Sequence, residues 1–157
     1  MEPVCSFSEL GKSCCGGFCE LPNKVCKLLD CKDDITGHLQ ACHLSRLVGK
    51  IQEYELILVR AGKFDLPHNQ VETMWICPKH KHNLGRNWRP LRTCHYPLHS
   101  GARKAPKNMD VVNLHLSRLT QKIYGVTVPV GSGKPKRMSI NSSVCSTLLH
   151  VCDCNIS

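Results

Sequence analysis

Two short clusters of cysteine and histidine constrain this chain more than any other feature. The first is Cys77-x2-His80, and the second, separated from it by thirteen residues, is Cys94-x4-His99. Thiolates and imidazoles in groups of four are the ligands that tetrahedral zinc selects, with bonds of roughly 2.3 Å to sulfur and 2.0 Å to nitrogen. The spacing therefore predicts a Zn²⁺ site formed by Cys77, His80, Cys94 and His99.

The residue after the first cysteine suits such a site. Pro78 favours a tight turn, which would direct backbone N–H groups towards the Cys77 thiolate. Four protein ligands leave no coordination position for water or substrate, so we expect a structural centre, neutral with two thiolates. The competing interpretation is a buried free cysteine with solvated histidines. Other ligand sets stay open: His82 in place of His80, and His95 in place of Cys94 or His99.

Composition indicates a thin hydrophobic core. The 157 residues include twelve cysteines and only 5% aromatic residues, so metal or disulfides are expected to supplement apolar packing. The longest aliphatic run, 56–59, is far too short to cross a membrane, and residues 1–10 lack the apolar run of a signal peptide. We therefore expect a reduced compartment, the nucleus or cytoplasm, with secretion as the alternative.

Positive charge is concentrated in the second half of the chain. Residues 1–72 hold eight basic and ten acidic side chains, whereas residues 73–157 hold thirteen basic and two acidic ones. A basic region of this kind attracts polyanions, so nucleic acid or an acidic protein is the expected partner, and the competing interpretation is a solubilising surface. The predicted nucleic-acid contacts are Lys79, Lys81, Arg86, Arg89, Arg92, Arg103 and Lys104, with Trp88 or Tyr96 available for base stacking.

The first 31 residues form a separate cysteine-rich pattern. Cys14-Cys15-Gly16-Gly17-Phe18-Cys19 followed by Cys26 resembles the inhibitor cystine-knot peptides of secreted toxins, although only Cys5 precedes the adjacent pair where such a knot has two cysteines. This resemblance implies disulfides. A zinc site made from four of the six thiols and a set of unpaired cysteines are the alternatives.

Apolar spacing predicts a small α+β domain with two short amphipathic helices and a few short strands. Apolar residues recur at helical intervals between Asp34 and Leu66, although 54–60 also fits a strand. A second helix is expected from an N-cap at Asp110 to a C-cap at Gly125. Strands are expected at 71–76, leading to Cys77, and at 126–130.

A nine-residue pattern occurs twice. His43–Ile51 and His115–Ile123 agree at seven of nine positions, and each places apolar residues on one helical face. This similarity suggests two equivalent helices that arose by internal duplication, and convergence of helical faces is the competing interpretation. If both are helices, their paired faces support an alternative function as a protein–protein interaction adaptor.

A longer pattern resembles a group of uncharacterised animal proteins. It comprises Ile76-Cys77-Pro78-Lys79-His80, Leu84-Gly85, Trp88, Cys94, Pro97, His99 and Val128-Pro129-Val130-Gly131-Ser132-Gly133, within residues 71–133. In that group a Cys-x2-Cys pair directly follows the Val-Gly-Ser turn, whereas residues 134–144 intervene here and no such pair follows. The resemblance supports the zinc ligands and carries no activity.

These patterns divide the chain into three parts. Residues 1–31 are the cysteine-rich segment, 32–133 the zinc-binding α+β domain, and 134–157 a basic, cysteine-containing tail. Acidic residues are nearly absent around the histidines, so neither an enzyme nor a small-molecule substrate is expected. The predicted function is an intracellular zinc-binding module that contacts nucleic acid through its basic central region, with a protein adaptor and a secreted disulfide-rich protein as alternatives.

Overall fold

The fold is α+β, built from short helices and very short antiparallel strands. A computed structural model of the chain describes residues 3–9, 15–16, 24–90 and 109–135. No helix within these ranges is long and apolar enough to cross a bilayer. The helices are α1 (Thr36–Ala41), α2 (Glu53–Arg60), α3 (His68–Glu72), α4 (Pro78–Leu84) and α5 (Leu114–Tyr124), and the strands are β1 (Cys26–Lys27), β2 (Trp75–Ile76), β3 (Met109–Val111) and β4 (Gly133–Pro135).

The first of two hydrophobic clusters joins the cysteine-rich segment to the central part of the chain. Strand β1 pairs with β2 in an antiparallel ladder, and the Ser6 amide donates a hydrogen bond to the Trp75 carbonyl at 2.8 Å. Phe7 and Leu28 are completely buried in this cluster together with Ile57 of α2. Described residues on both sides of the predicted boundary at residue 31 therefore share one core.

Helix α2 lies between the two clusters. Gln52 and Glu55 form a capping box at its start, which pairs N–H groups that would otherwise lack intrahelical partners. Of its buried residues, Ile57 faces the first cluster and Leu56 the second, so both faces of α2 pack against apolar side chains. Residues 54–60 thus form a helix, and the alternative prediction of a strand there is wrong.

The second cluster packs α1 and α2 against the segment that follows α5. Leu39, Leu56 and Val130 are each completely buried here. The Arg60 side chain is also buried, and its guanidinium lies 4.0 Å from the centre of the Trp88 ring. This cluster positions α1 beside the turn that follows α4.

The repeated nine-residue pattern does not form two equivalent helices. The second copy is α5, but the first contains only a 3-10 turn, Ser45–Leu47. Two backbone conformations explain the difference, since His43 has φ 56° and Gly49 has φ 71°, and an α-helix cannot pass through either residue. The prediction of paired helices, and with it the structural basis of the adaptor alternative, is wrong.

Other predicted boundaries shift for local reasons. Helix α5 begins at an Asn113 N-cap rather than Asp110, because Asp110 pairs in the β3–β4 ladder, and it ends as predicted at Gly125, whose φ is 64°. Residue 71 belongs to α3, so only 75–76 form a strand before Cys77. Residues 126–130 form no strand, and β4 begins at Gly133.

Candidate metal centre

The Cys77-x2-His80 motif lies where strand β2 passes into helix α4. Cys77 has an extended backbone and is the N-cap of α4, and Pro78 occupies the first helical turn, where its missing N–H is tolerated. The His80 amide donates to Cys77 Sγ at 3.5 Å. The sequence therefore places both side chains on one helical turn, with backbone N–H groups directed at the thiol, as the proline suggested.

Two thiols from the cysteine-rich segment meet this pair. The ligand atoms of Cys5, Cys15, Cys77 and His80 all lie within 4.8 Å of one another, and no other cluster of three or more potential ligands occurs in the described ranges. His80 Nδ1 lies 3.2 Å from Cys77 Sγ, 3.4 Å from Cys5 Sγ and 3.7 Å from Cys15 Sγ. These four residues could hold one metal ion.

The spacing can be compared with that of a tetrahedral site. Bonds of roughly 2.3 Å to sulfur and 2.0 Å to nitrogen, at a tetrahedral angle, separate the sulfur and nitrogen atoms by about 3.5 Å. The three distances from His80 Nδ1, which run from 3.2 to 3.7 Å, bracket that value. Little movement is therefore needed for these side chains to surround a single ion of the size of Zn²⁺.

Backbone amides supply a second layer of contacts. The Cys77 amide donates to Cys5 Sγ at 3.3 Å. Burial alone would raise the pKa of the Cys77 thiol, but hydrogen bonds from the Gly16 and His80 amides and from the neighbouring thiols hold the pKa below its ordinary value. The same environment that favours a thiolate at Cys77 favours a cation beside it.

Burial shields most of the cluster from water. Cys5, Cys77 and His80 are at most 4% exposed, whereas Cys15 is exposed. Burial raises the pKa of Cys5 to about 12, so without a metal this thiol stays protonated. It also lowers the pKa of His80, which keeps the imidazole neutral and able to act as a ligand. The Phe7 ring, 6.2 Å from the His80 ring, covers one side.

The structure describes two of the four predicted metal ligands. Cys77 and His80 come together, whereas Cys94 and His99 lie outside the described residues, so the predicted set of four stays a prediction. His82, the alternative to His80, is exposed and lines a cavity elsewhere. Sequence reasoning treated the cysteine-rich segment as a separate unit, and its spacing gave no signal that Cys5 and Cys15 would join the motif.

The predicted nucleic-acid contacts occupy varied positions. Lys81 lies 3.1 Å from Asp33 and 3.5 Å from the buried carboxylate of Glu53, so it already has anionic partners. Arg86 is exposed and lies 4.0 Å from Asp33. Arg89 is exposed as well, whereas Lys79 and Trp88 are half-buried. Arg92, Tyr96, Arg103 and Lys104 lie outside the described residues.

Comparisons with protein-family models, curated proteins and solved structures give no match to this chain.

Proposed function

We propose that the protein is a zinc-stabilised module whose metal centre fastens the cysteine-rich segment to helix α4 and whose basic central region contacts nucleic acid. The observation that carries the zinc part is the convergence of three thiols and one imidazole within 4.8 Å. Soft sulfur ligands with one imidazole favour Zn²⁺ over the hard cations Mg²⁺ and Ca²⁺, which prefer oxygen.

The metal has a structural role in this proposal. Four protein ligands complete a tetrahedral zinc site and leave no position for water, so the centre activates no nucleophile. Cys5 and Cys15 hold the ion from the cysteine-rich segment, and Cys77 and His80 hold it from α4. Binding energies of structural zinc run to about 10–16 kcal/mol, which is enough to order a segment with few apolar residues.

Charge supports the nucleic-acid part. Residues 78–107 include eight Lys or Arg and no acidic residue, and within this region Arg86 and Arg89 are exposed at the turn after α4. Lys81 contributes less than the sequence suggested, because Asp33 and Glu53 already surround it. Phosphate contact by the remaining side chains predicts binding that weakens steeply with salt.

The test of the zinc site compares serine variants of single cysteines. The protein is expressed in reducing cytosol, and metal content is measured by native mass spectrometry before and after a chelator. Cys77→Ser and Cys15→Ser should each lose one zinc. Cys26→Ser is the matched control, because this half-buried thiol lies outside the cluster of four.

A further variant separates the described ligand set from the one predicted by the motif. Cys94→Ser should retain the zinc if Cys5 and Cys15 complete the site, whereas Cys15→Ser should retain it if Cys94 and His99 do. A metal-free wild-type protein whose mass is lowered by paired hydrogens would refute the zinc proposal, because its thiols would be disulfides.

A further inference from the structure

A cavity of about 690 Å³, lined by none of the four residues of the candidate metal centre, lies between α1 and the turn that follows α4. Its volume is within the usual range for small-ligand sites. No Asp or Glu occurs among the described residues that line it. The chemically distinctive lining residues are His38, Cys42, His82, Arg86, Trp88 and Arg89.

A buried positive charge lies behind the cavity wall. Arg60 is 2% exposed, its Nη2 lies 4.0 Å from Cys42 Sγ, and its guanidinium lies 4.0 Å from the Trp88 ring centre. Both Cys42 and Trp88 line the cavity. Arg60 is thus separated from the cavity by a single layer of side chains.

Carbonyl groups, not carboxylates, surround Arg60. Its Nε donates to the Val130 carbonyl at 3.1 Å, and its Nη1 donates to the carbonyls of Leu84 and Gly85 at 3.1 and 2.9 Å. Within the described ranges no Asp or Glu forms an ion pair with it. These contacts fix the guanidinium in place, and no carboxylate of the described residues pairs with it.

The Cys42 thiol, 4.0 Å from Arg60 Nη2, does not supply a negative charge. Burial raises the pKa of the Cys42 thiol, although the neighbouring Arg60 opposes this shift, so the thiol stays protonated at neutral pH. A buried charge without a counter-ion is costly, and an anion in the adjoining cavity would reduce that cost. Arg89 and Arg86, the latter 4.0 Å from Asp33, add two more cations to the cavity lining.

We infer that this cavity binds the phosphate of a nucleotide, either within single-stranded nucleic acid or free. The inference rests on the proposed nucleic-acid function for its choice of anion, and not on the metal centre. Arg86 and Arg89 bind the phosphate oxygens directly, because the guanidinium fork matches phosphate geometry, and Arg60 acts through the field of its buried charge. Trp88, with Arg60 stacked at 4.0 Å, forms part of the wall rather than a free stacking platform.

The test uses two probes and two matched double variants. Fluorescence anisotropy with a labelled single-stranded oligothymidylate measures nucleic-acid binding, and calorimetry with adenosine monophosphate, against adenosine as the control, measures binding of the phosphate itself. The double variant Arg86→Glu with Arg89→Glu reverses two positive charges on the cavity lining. Arg46→Glu with Lys50→Glu makes the same change in net charge at exposed residues that do not line the cavity.

The cavity variant should weaken oligonucleotide binding at 0.1 M salt by at least about 25-fold. Loss of two phosphate contacts, at roughly 0.7 log units each per tenfold change in salt from a 1 M reference, accounts for this factor, and the added negative charges increase it. The control variant should weaken it far less, and adenosine monophosphate should bind where adenosine does not. Zinc content is measured for every variant and should be unchanged.

Each other outcome has a distinct meaning. Binding of the mononucleotide without binding of the oligonucleotide keeps the phosphate cavity and refutes the nucleic-acid part of the proposed function. Equal weakening by both double variants, with no mononucleotide binding, refutes the cavity and leaves nucleic-acid contact by general charge. Binding of neither probe refutes both.

Discussion

The substitution Phe7→Ala tests most directly whether the cysteine-rich segment is part of the fold. Phe7 is completely buried in the first hydrophobic cluster and covers one side of His80. Removal of a buried phenylalanine ring costs about 3–5 kcal/mol, a large share of the roughly 5–15 kcal/mol that stabilises a typical domain. We therefore expect a loss of free energy of unfolding in this range.

The same substitution should also weaken metal binding. Phe7 lies two residues from Cys5, so the packing of its ring helps to hold that thiol beside His80. If about 3 kcal/mol of docking free energy is lost and must be supplied by the metal, zinc affinity falls by about 100-fold, since each 1.4 kcal/mol is a factor of ten.

Urea unfolding followed by circular dichroism gives the stability, and competition with a chelating dye gives the zinc affinity. Val4→Ala is the matched control, because Val4 belongs to the same segment and is 75% exposed. If Phe7→Ala changed stability and zinc affinity no more than Val4→Ala does, the segment would not pack against this core, and the reasoning would fail.

Two further predictions concern local structure. Asn113→Ala should destabilise the protein by about 1 kcal/mol, because the Asn113 side chain accepts a hydrogen bond from the Leu116 amide at 2.8 Å at the start of α5. Asn113→Asp should keep this cap. Urea unfolding measures the stability of both variants, and equal losses of stability would contradict the prediction. Burial lowers the pKa of His38 to about 4, with the charge of Arg60 adding to the shift. Because the unfolded chain then binds a proton that the folded chain excludes, this histidine makes stability fall as pH drops from 6.5 towards 4. An NMR titration that places the pKa of His38 near 6.5 would contradict the burial argument.

Local signals in the sequence predicted the parts of the site that depend on neighbouring residues. Cys77 and His80 are three residues apart around a proline, so a single turn brings them together. The end of α5 could also be predicted from the sequence, because Gly125 adopts the left-handed conformation that glycine favours.

Long-range contacts could not be predicted from the sequence in the same way. Cys5 and Cys77 are 72 residues apart. Their meeting depends on the hydrogen bonds between Ser6 and Trp75 and on the packing of Phe7, neither of which has a periodic signal in the sequence. The repeated nine-residue pattern failed for a related reason. Its apolar spacing fits a helix in both copies, but the first copy includes Gly49, where the chain turns through a positive φ, and the second has a glutamine there.

Helix α4 connects the two sites, and its geometry implies that they are not independent. Cys77 is its N-cap and His80 lies in its first turn, and both belong to the metal centre. His82, two residues after His80, lines the phosphate cavity, and the Gly85 carbonyl at the C-cap accepts a hydrogen bond from Arg60. If the four ligands hold a metal, we expect its removal to loosen the N-terminal end of α4, because a helix of seven residues needs tertiary support to remain ordered. The cavity wall should therefore loosen when zinc is removed, and affinity for adenosine monophosphate should fall with it. An unchanged affinity in the chelated protein would show that Arg60 and its carbonyl partners hold the cavity in place alone.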